Sequence, residues 1–321
     1  MTRTDHSANR TVKTLLRQPT DRVPIFEHAI NGRFIRHAIG VEVDHSLHIM
    51  PKEHLQLARF VHMDLATLGY YFTCKGANTR EALKTLRLPS HADFLARVDD
   101  YLRVLDGTEI DLNVYVSGPF CTTYLSMGYE QFFLAVQDDL PLVEELMDLF
   151  TEDAVLMVKE LLQRNLASIQ VADDIAFKSG LFVRPDLFRS LWFPRMKKIM
   201  APIHAAKMPC FFHSDGDVEH FIRMIIDLGF MGINPLETQC NNIGEIKRKY
   251  GKEIVLMGNL DIGGVLAFGS AEDVRRDMKA LLKLMMPGAG YVAMSSSSVA
   301  DCVVPENYMA MVDTVLEHGR Y

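Results

Sequence analysis

The chain has 321 residues, with 34 Lys and Arg against 41 Asp and Glu, a net charge of −7 with histidine neutral. At 48% hydrophobic and 23% charged it carries enough apolar material for a core, which excludes collagen-like, disordered and mucin-like chains. The acidic balance argues against a nucleic-acid surface, because phosphate contacts demand clustered Lys and Arg.

Five cysteines, Cys74, Cys121, Cys210, Cys240 and Cys302, lie far apart without a CxxC pair. This predicts reduced thiols in a cytoplasm rather than a disulfide framework. Residues 1–17 carry no apolar run of the signal-peptide kind, and no stretch reaches the ~18 apolar residues that a membrane helix needs. No membrane partner is expected.

In chain order, Val23-Pro-Ile-Phe-Glu27 reads as a first strand and Met63 to Leu68 as a second, running into Gly69-Tyr70-Tyr71. Ile110 to Val116 alternates and closes on Ser117-Gly118-Pro119, a third strand with its turn. Tyr129 to Arg164 has apolar residues at helical spacing with a break near Pro141. Strands follow at Ser168–Ala172, Pro209–Phe212, Met231–Asn234, Ile254–Met257 and Gly290–Met294. The helices between them are Pro185–Lys207, Val218–Leu228 stopping at Gly229, Ile243–Tyr250 stopping at Gly251, and Ala271–Met285. Eight strands separated by helices predict an α/β fold, a (β/α)8 TIM barrel in a single domain. A doubly wound open sheet competes, but no GxGxxG follows the first strand. Residues 1–20 read as an N-terminal extension, 21–321 as the barrel, and 75–97 as an insertion over its mouth.

Polar residues just past the carboxyl ends of barrel strands converge on one mouth. Here they are Glu27, His28, Tyr70, Tyr71, Ser117, Asp173, Asp174, His213, Asp215, Glu237, Asn259, Asp261 and Ser295 to Ser298. Asp173 and Asp215 each admit a plainer role as helix N-caps. His213 admits one as a satisfied core histidine, but it also reads as a metal ligand or acid–base group. Glu237, one βα unit later, would face it, and the pair suits Zn²⁺ with Asp215 or Cys240 as third ligand. Arg33 reads either as a surface salt bridge or as a clamp on an anionic substrate. Ser295 to Ser298 form either a solvated loop or a row of hydroxyl donors.

The segments Ala172-Asp-Asp-Ile175, Phe212-His-Ser-Asp-Gly216, Asn234-Pro-Leu-Glu237, Met257-Gly-Asn-Leu-Asp261 and Gly290-Tyr-Val-Ala-Met-Ser295 resemble the uroporphyrinogen decarboxylase superfamily. That superfamily includes the decarboxylase and the cobamide-dependent methyltransferases, and the resemblance implies a (β/α)8 barrel. For the decarboxylase it implies an Arg-Gln-Ala-Gly-Arg segment after strand one, where this chain has Ala29-Ile-Asn-Gly-Arg33. Tyr71 stands where that enzyme carries the aspartate that binds pyrrole NH groups, and Ser297 where it carries a histidine. For the thiol-methylating branch the resemblance implies a His-x-Cys pair and a further cysteine on Zn²⁺. This chain has His213-Ser-Asp215 and Ser297 instead, with Glu237 matching a carboxylate near that zinc.

An oxygen-rich donor set suits a thiolate acceptor poorly and suits an ether, alcohol or amine leaving group better. The resemblance therefore implies a methyltransferase of the O-demethylase kind, with methoxylated aromatics as the favoured small-molecule donor. The acceptor is the cobalt of a cobamide on a separate corrinoid protein, since this chain has no Asp-x-His-x-x-Gly motif. Expected catalytic residues are Asp173, Asp174, His213 and Asp215; expected metal ligands are His213, Glu237 and Asp215. Expected substrate contacts are Glu27, Arg33, Tyr71, Asn259 and Ser297, and a homodimer is compatible. The competing readings are a uroporphyrinogen decarboxylase and a non-catalytic barrel that binds a tetrapyrrole or corrinoid.

Overall fold

Alternating apolar runs and amphipathic segments build an α/β fold around one curled, all-parallel sheet, seen here in a computed structural model that describes residues 6–321. Its seven strands are β1 (Leu65–Tyr70), β2 (Asp111–Ser117), β3 (Ser168–Ala172), β4 (Cys210–His213), β5 (Gly232–Asn234), β6 (Val255–Leu260) and β7 (Tyr291–Ser295). Each pairs with the next in sequence, so the order follows the chain. The strands are almost wholly buried, as parallel strands covered on both faces must be.

The expected first strand is present only as a bridge. Ile25 pairs with Ala293 in parallel, the Phe26 N–H donates to the Ala293 carbonyl, and the Ala293 N–H to that of Pro24. Pro24 has no N–H to extend a ladder. The sheet nevertheless curls far enough for this segment to meet strands across the interior. Phe26 packs edge-on against Phe211 of β4 at 5.4 Å, and His28 stacks on His213 at 4.2 Å.

The helical readings hold with shifted ends. The long apolar pattern divides into Tyr129–Asp138 and Leu140–Leu161, with Asp139 capping the second helix through the Leu142 N–H. The segment expected as one helix over 218–228 is a 3₁₀ turn, Glu219–Phe221, and a short helix, Ile222–Asp227. In the region expected as an insertion, Arg80–Thr85 is a short helix with no buried residue. From His91 the chain is already a covering helix, His91–Leu105, which buries Phe94, Leu95, Val98, Tyr101 and Leu105. The N-terminal helix Arg10–Leu15 plugs the amino ends of the strands. Its Val12 and Leu15 join Phe26, Leu65, Phe211, Val255, Met257 and Met294 in an inner apolar cluster.

The interior then turns polar. Ser168 Oγ donates to Asn113 Oδ1 at 2.8 Å, Asn113 Nδ2 to Gln170 Oε1 at 3.3 Å, and Gln170 Nε2 to His28 Nδ1 at 2.9 Å. Such a chain is tolerable in a buried interior because its members satisfy one another.

Candidate active site

The mouth is built by residues that leave β3, β4 and β7 at their carboxyl ends. After β3 the chain presents two carboxylates in a row, and the strand alternation sends them apart. Asp173 is fully buried. It accepts from the Cys121 N–H at 2.6 Å, the Phe120 N–H at 3.3 Å and Trp192 Nε1 at 2.8 Å. The first two are orphan donors at the start of the helix Pro119–Met127, whose own N-cap, Gly118, has no side chain to offer. A Cβ on Gly118 would lie 2.2 Å from the Asp173 carboxyl carbon, so the approach demands glycine. Burial raises Asp173 to about 7 despite these donors. The structure thus places Asp173, expected as a catalytic residue, as a sealed cap on the helix Pro119–Met127.

Asp174 points the other way, half-exposed, and joins His213 and Asp215. Both carboxylates have an oxygen 3.9 Å from His213 Nε2, and Asp174 also accepts the Asp215 N–H at 2.9 Å. His213 Nδ1 donates to Asn234 Oδ1 at 2.5 Å, which turns its Nε2 toward the two carboxylates. Ser297 Oγ donates to Asp215 at 3.2 Å. Burial pushes Asp215 up to about 6, against the pull of His213 and with Asp174 and Glu237 adding to it.

Among the described residues, Asp174, His213 and Asp215 form a group whose ligand atoms lie within 4.8 Å of one another. One imidazole nitrogen and two carboxylate oxygens, with the other ring nitrogen fixed by an amide, fit a divalent cation such as Zn²⁺. The expected trio had Glu237 in place of Asp174. Glu237 instead accepts the Gly216 N–H at 2.7 Å, so it holds the β4 loop behind the cluster.

Beside the cluster lies a cavity of about 310 Å³ lined by His28, Asp44, His45, Leu47, His48, Tyr71, Tyr115 and Ser298. Tyr71, expected as a substrate contact, lies on this lining and stacks on Tyr115 at 5.8 Å. Burial, and then the neighbouring His213, push His28 well below the usual imidazole range and keep it neutral. His45 and His48 were not foreseen. His45 caps the 3₁₀ turn Ser46–His48 and His48 ends it, between two elements, where no strand end marks them; the Asp44-His45-x-x-His48 spacing was the available signal.

Three expected substrate contacts are engaged elsewhere in the fold. Glu27 is buried and accepts from the Ser295 N–H and Oγ at 2.8 and 2.7 Å, tying the first segment to β7. Burial raises it to about 8. Asn259 is buried and donates to the Leu236 carbonyl at 2.6 Å. Arg33 is exposed, with its guanidinium on the Asp301 carbonyl at 2.8 Å, away from the cavity lining.

The sequence profile of uroporphyrinogen decarboxylase matches residues 75–318, three quarters of the chain. The chain belongs to the uroporphyrinogen decarboxylase family. A relative of that name from Thioalkalivibrio sulfidiphilus is 23% identical over 354 residues, covering 97% of this chain and 98% of its own. One from Neisseria meningitidis is 34% identical, but over 85 residues, 26% of this chain and 23% of its own. Among solved structures, a methyltransferase from Methanosarcina mazei superposes with a TM-score of 0.73, covering 96% of this chain and 97% of its own. At 18% identity that likeness shows the fold alone. The shared fold does not choose the reaction, which rests on the residues at the mouth. No helix among the described residues is long and apolar enough to cross a membrane.

Proposed function

We propose that this family member is a methyltransferase that takes a methyl group from a small neutral donor, a methoxylated aromatic by preference. The acceptor is the cobalt of a corrinoid on a separate protein. The observation that carries this reading is the charge of the mouth. Its cavity lining includes Asp44 and no Lys or Arg, while Asp174 and Asp215 gather beside it. The many carboxylates of uroporphyrinogen would meet repulsion there, and a cavity of about 310 Å³ suits one aromatic ring rather than four pyrroles. In the same reading Val23–Glu27 is the eighth strand of a closed barrel, stitched to β7 through Glu27 and Ser295.

Asp174, His213 and Asp215 would hold a divalent cation, whose chemistry there is Lewis-acid polarisation of the donor's leaving oxygen. The chain's own groups supply the rest. Asn234 fixes the His213 ring so that Nε2 faces the carboxylates, and Ser297 orients Asp215. The Tyr71 and Tyr115 rings flank an aromatic donor and exclude water from it. The neutral His28 adds no charge beside His213. The donor's methyl carbon faces the open mouth, where the acceptor docks.

The test supplies purified protein with reduced free cobalamin and a panel of aryl methyl ethers, methanol and methylamines, following methylcobalamin by absorbance. Uroporphyrinogen is assayed in parallel. Methylation by an aryl methyl ether, with no porphyrinogen turnover, is the expected result. Decarboxylation of uroporphyrinogen without methyl transfer would overturn the proposal.

A further inference from the structure

At the outer wall of the cavity three side chains run in line. Asp44 Oδ1 lies 2.8 Å from His48 Nδ1, and His48 Nε2 lies 2.6 Å from the Tyr71 hydroxyl. The exposed Asp44 is held below the usual carboxylate range by His48, so it is ionised and fixes the proton on Nδ1. When the ring carries that one proton, His48 Nε2 is an acceptor and the Tyr71 O–H donates to it. With that proton committed inward, what Tyr71 offers the cavity is an oxygen lone pair. The other groups facing this row are His45 beside the same turn, Tyr115 across the stack, His28 on the lining and Arg97, which gives one N–H to the Leu47 carbonyl at 2.9 Å and whose charge reaches Tyr71.

We infer that Asp44, His48 and Tyr71 form an oxygen-recognition site, independent of any metal, for an aromatic ligand that bears a free hydroxyl. The ring lies against Tyr71 and Tyr115, and its O–H donates to the Tyr71 oxygen. A methyl ether oxygen has no proton to donate, so the site prefers a phenol to its ether. Combined with the proposed methyl transfer, on which this last step rests, the favoured donor carries both groups: a hydroxyl anchored at Tyr71 and a methoxy turned toward Asp174, His213 and Asp215.

The test is calorimetric binding of phenol, anisole and toluene to the intact protein, with and without EDTA. Wild type is expected to bind phenol about tenfold more tightly than the other two, the size of one net hydrogen bond. Tyr71→Phe and His48→Ala should remove that preference; His48 is exposed, so its loss leaves the core intact. Equal binding of the three, no binding at all, a preference that survives both variants, or one that vanishes with EDTA would each overturn the site. A preference without methyl transfer would retain this site and sink the proposed function; transfer without a preference would do the reverse.

Discussion

Asp173 and Asp174 are neighbours in the chain and belong to different parts of the molecule. Asp173 is sealed among the Phe120 and Cys121 amides and the Trp192 indole, with every partner supplied by the fold. Asp174 shares its surroundings with His213 and Asp215, where ligand atoms face one another across an open mouth. The same division separates Glu27 from Asp215. The lesson is that a carboxylate's place past a strand end does not assign its role; the count of donors already committed to it does.

The largest effect should come from breaking the sealed member. Asp173→Ala leaves three buried N–H donors without an acceptor and should cost about 3 kcal/mol or more of stability in urea unfolding. A loss below 1 kcal/mol would show that those donors find other partners. Asp174→Ala and Asp215→Ala should do the opposite: stability within about 0.5 kcal/mol of wild type, and turnover lowered about tenfold or more. Equal activity in both would remove the cluster from the chemistry.

The sealed carboxyls also predict a pH dependence. Glu27 and Asp173 have folded values of about 8 and about 7, above those of an unfolded chain near 4. Between these limits the folded state binds more protons than the unfolded one. Their contribution to stability is therefore complete below about pH 4 and lost as pH rises toward 8. Urea midpoints should fall across that window, and Glu27→Gln with Asp173→Asn should flatten the slope; an unchanged slope would contradict their burial as acids. The smallest effect belongs to Arg33→Ala, expected to leave turnover and stability within error because its guanidinium reaches only the Asp301 carbonyl. A tenfold rise in KM would restore it as a substrate clamp.

Much of the fold was legible because periodicity and punctuation agree. Pro185 starts a helix, Ser168–Ala172 is a strand as read, and Gly229 and Gly251 follow helices. The first strand was legible as an apolar run, but Pro24 hid how little of it pairs. At the site, His213, Asp215 and Asp174 could be placed at the mouth from strand ends alone. What could not be read was which carboxylate has its lone pairs already taken: Asp173 by a helix three elements before its strand, Glu237 by Gly216, Glu27 by Ser295. Those partners are 21 to 268 residues away in sequence. The Asp44–His48–Tyr71 row lies on a turn that no periodicity marks.

The most direct test of the central claim is metal stoichiometry. Purified protein is equilibrated with Zn²⁺, dialysed and assayed by elemental analysis, alongside His213→Ala, Asp174→Ala and Glu237→Ala. One bound ion per chain, lost in the first two variants and retained in Glu237→Ala, is the predicted result. No bound ion in wild type, or one lost only in Glu237→Ala, would contradict the assignment of Asp174, His213 and Asp215 as the reactive centre.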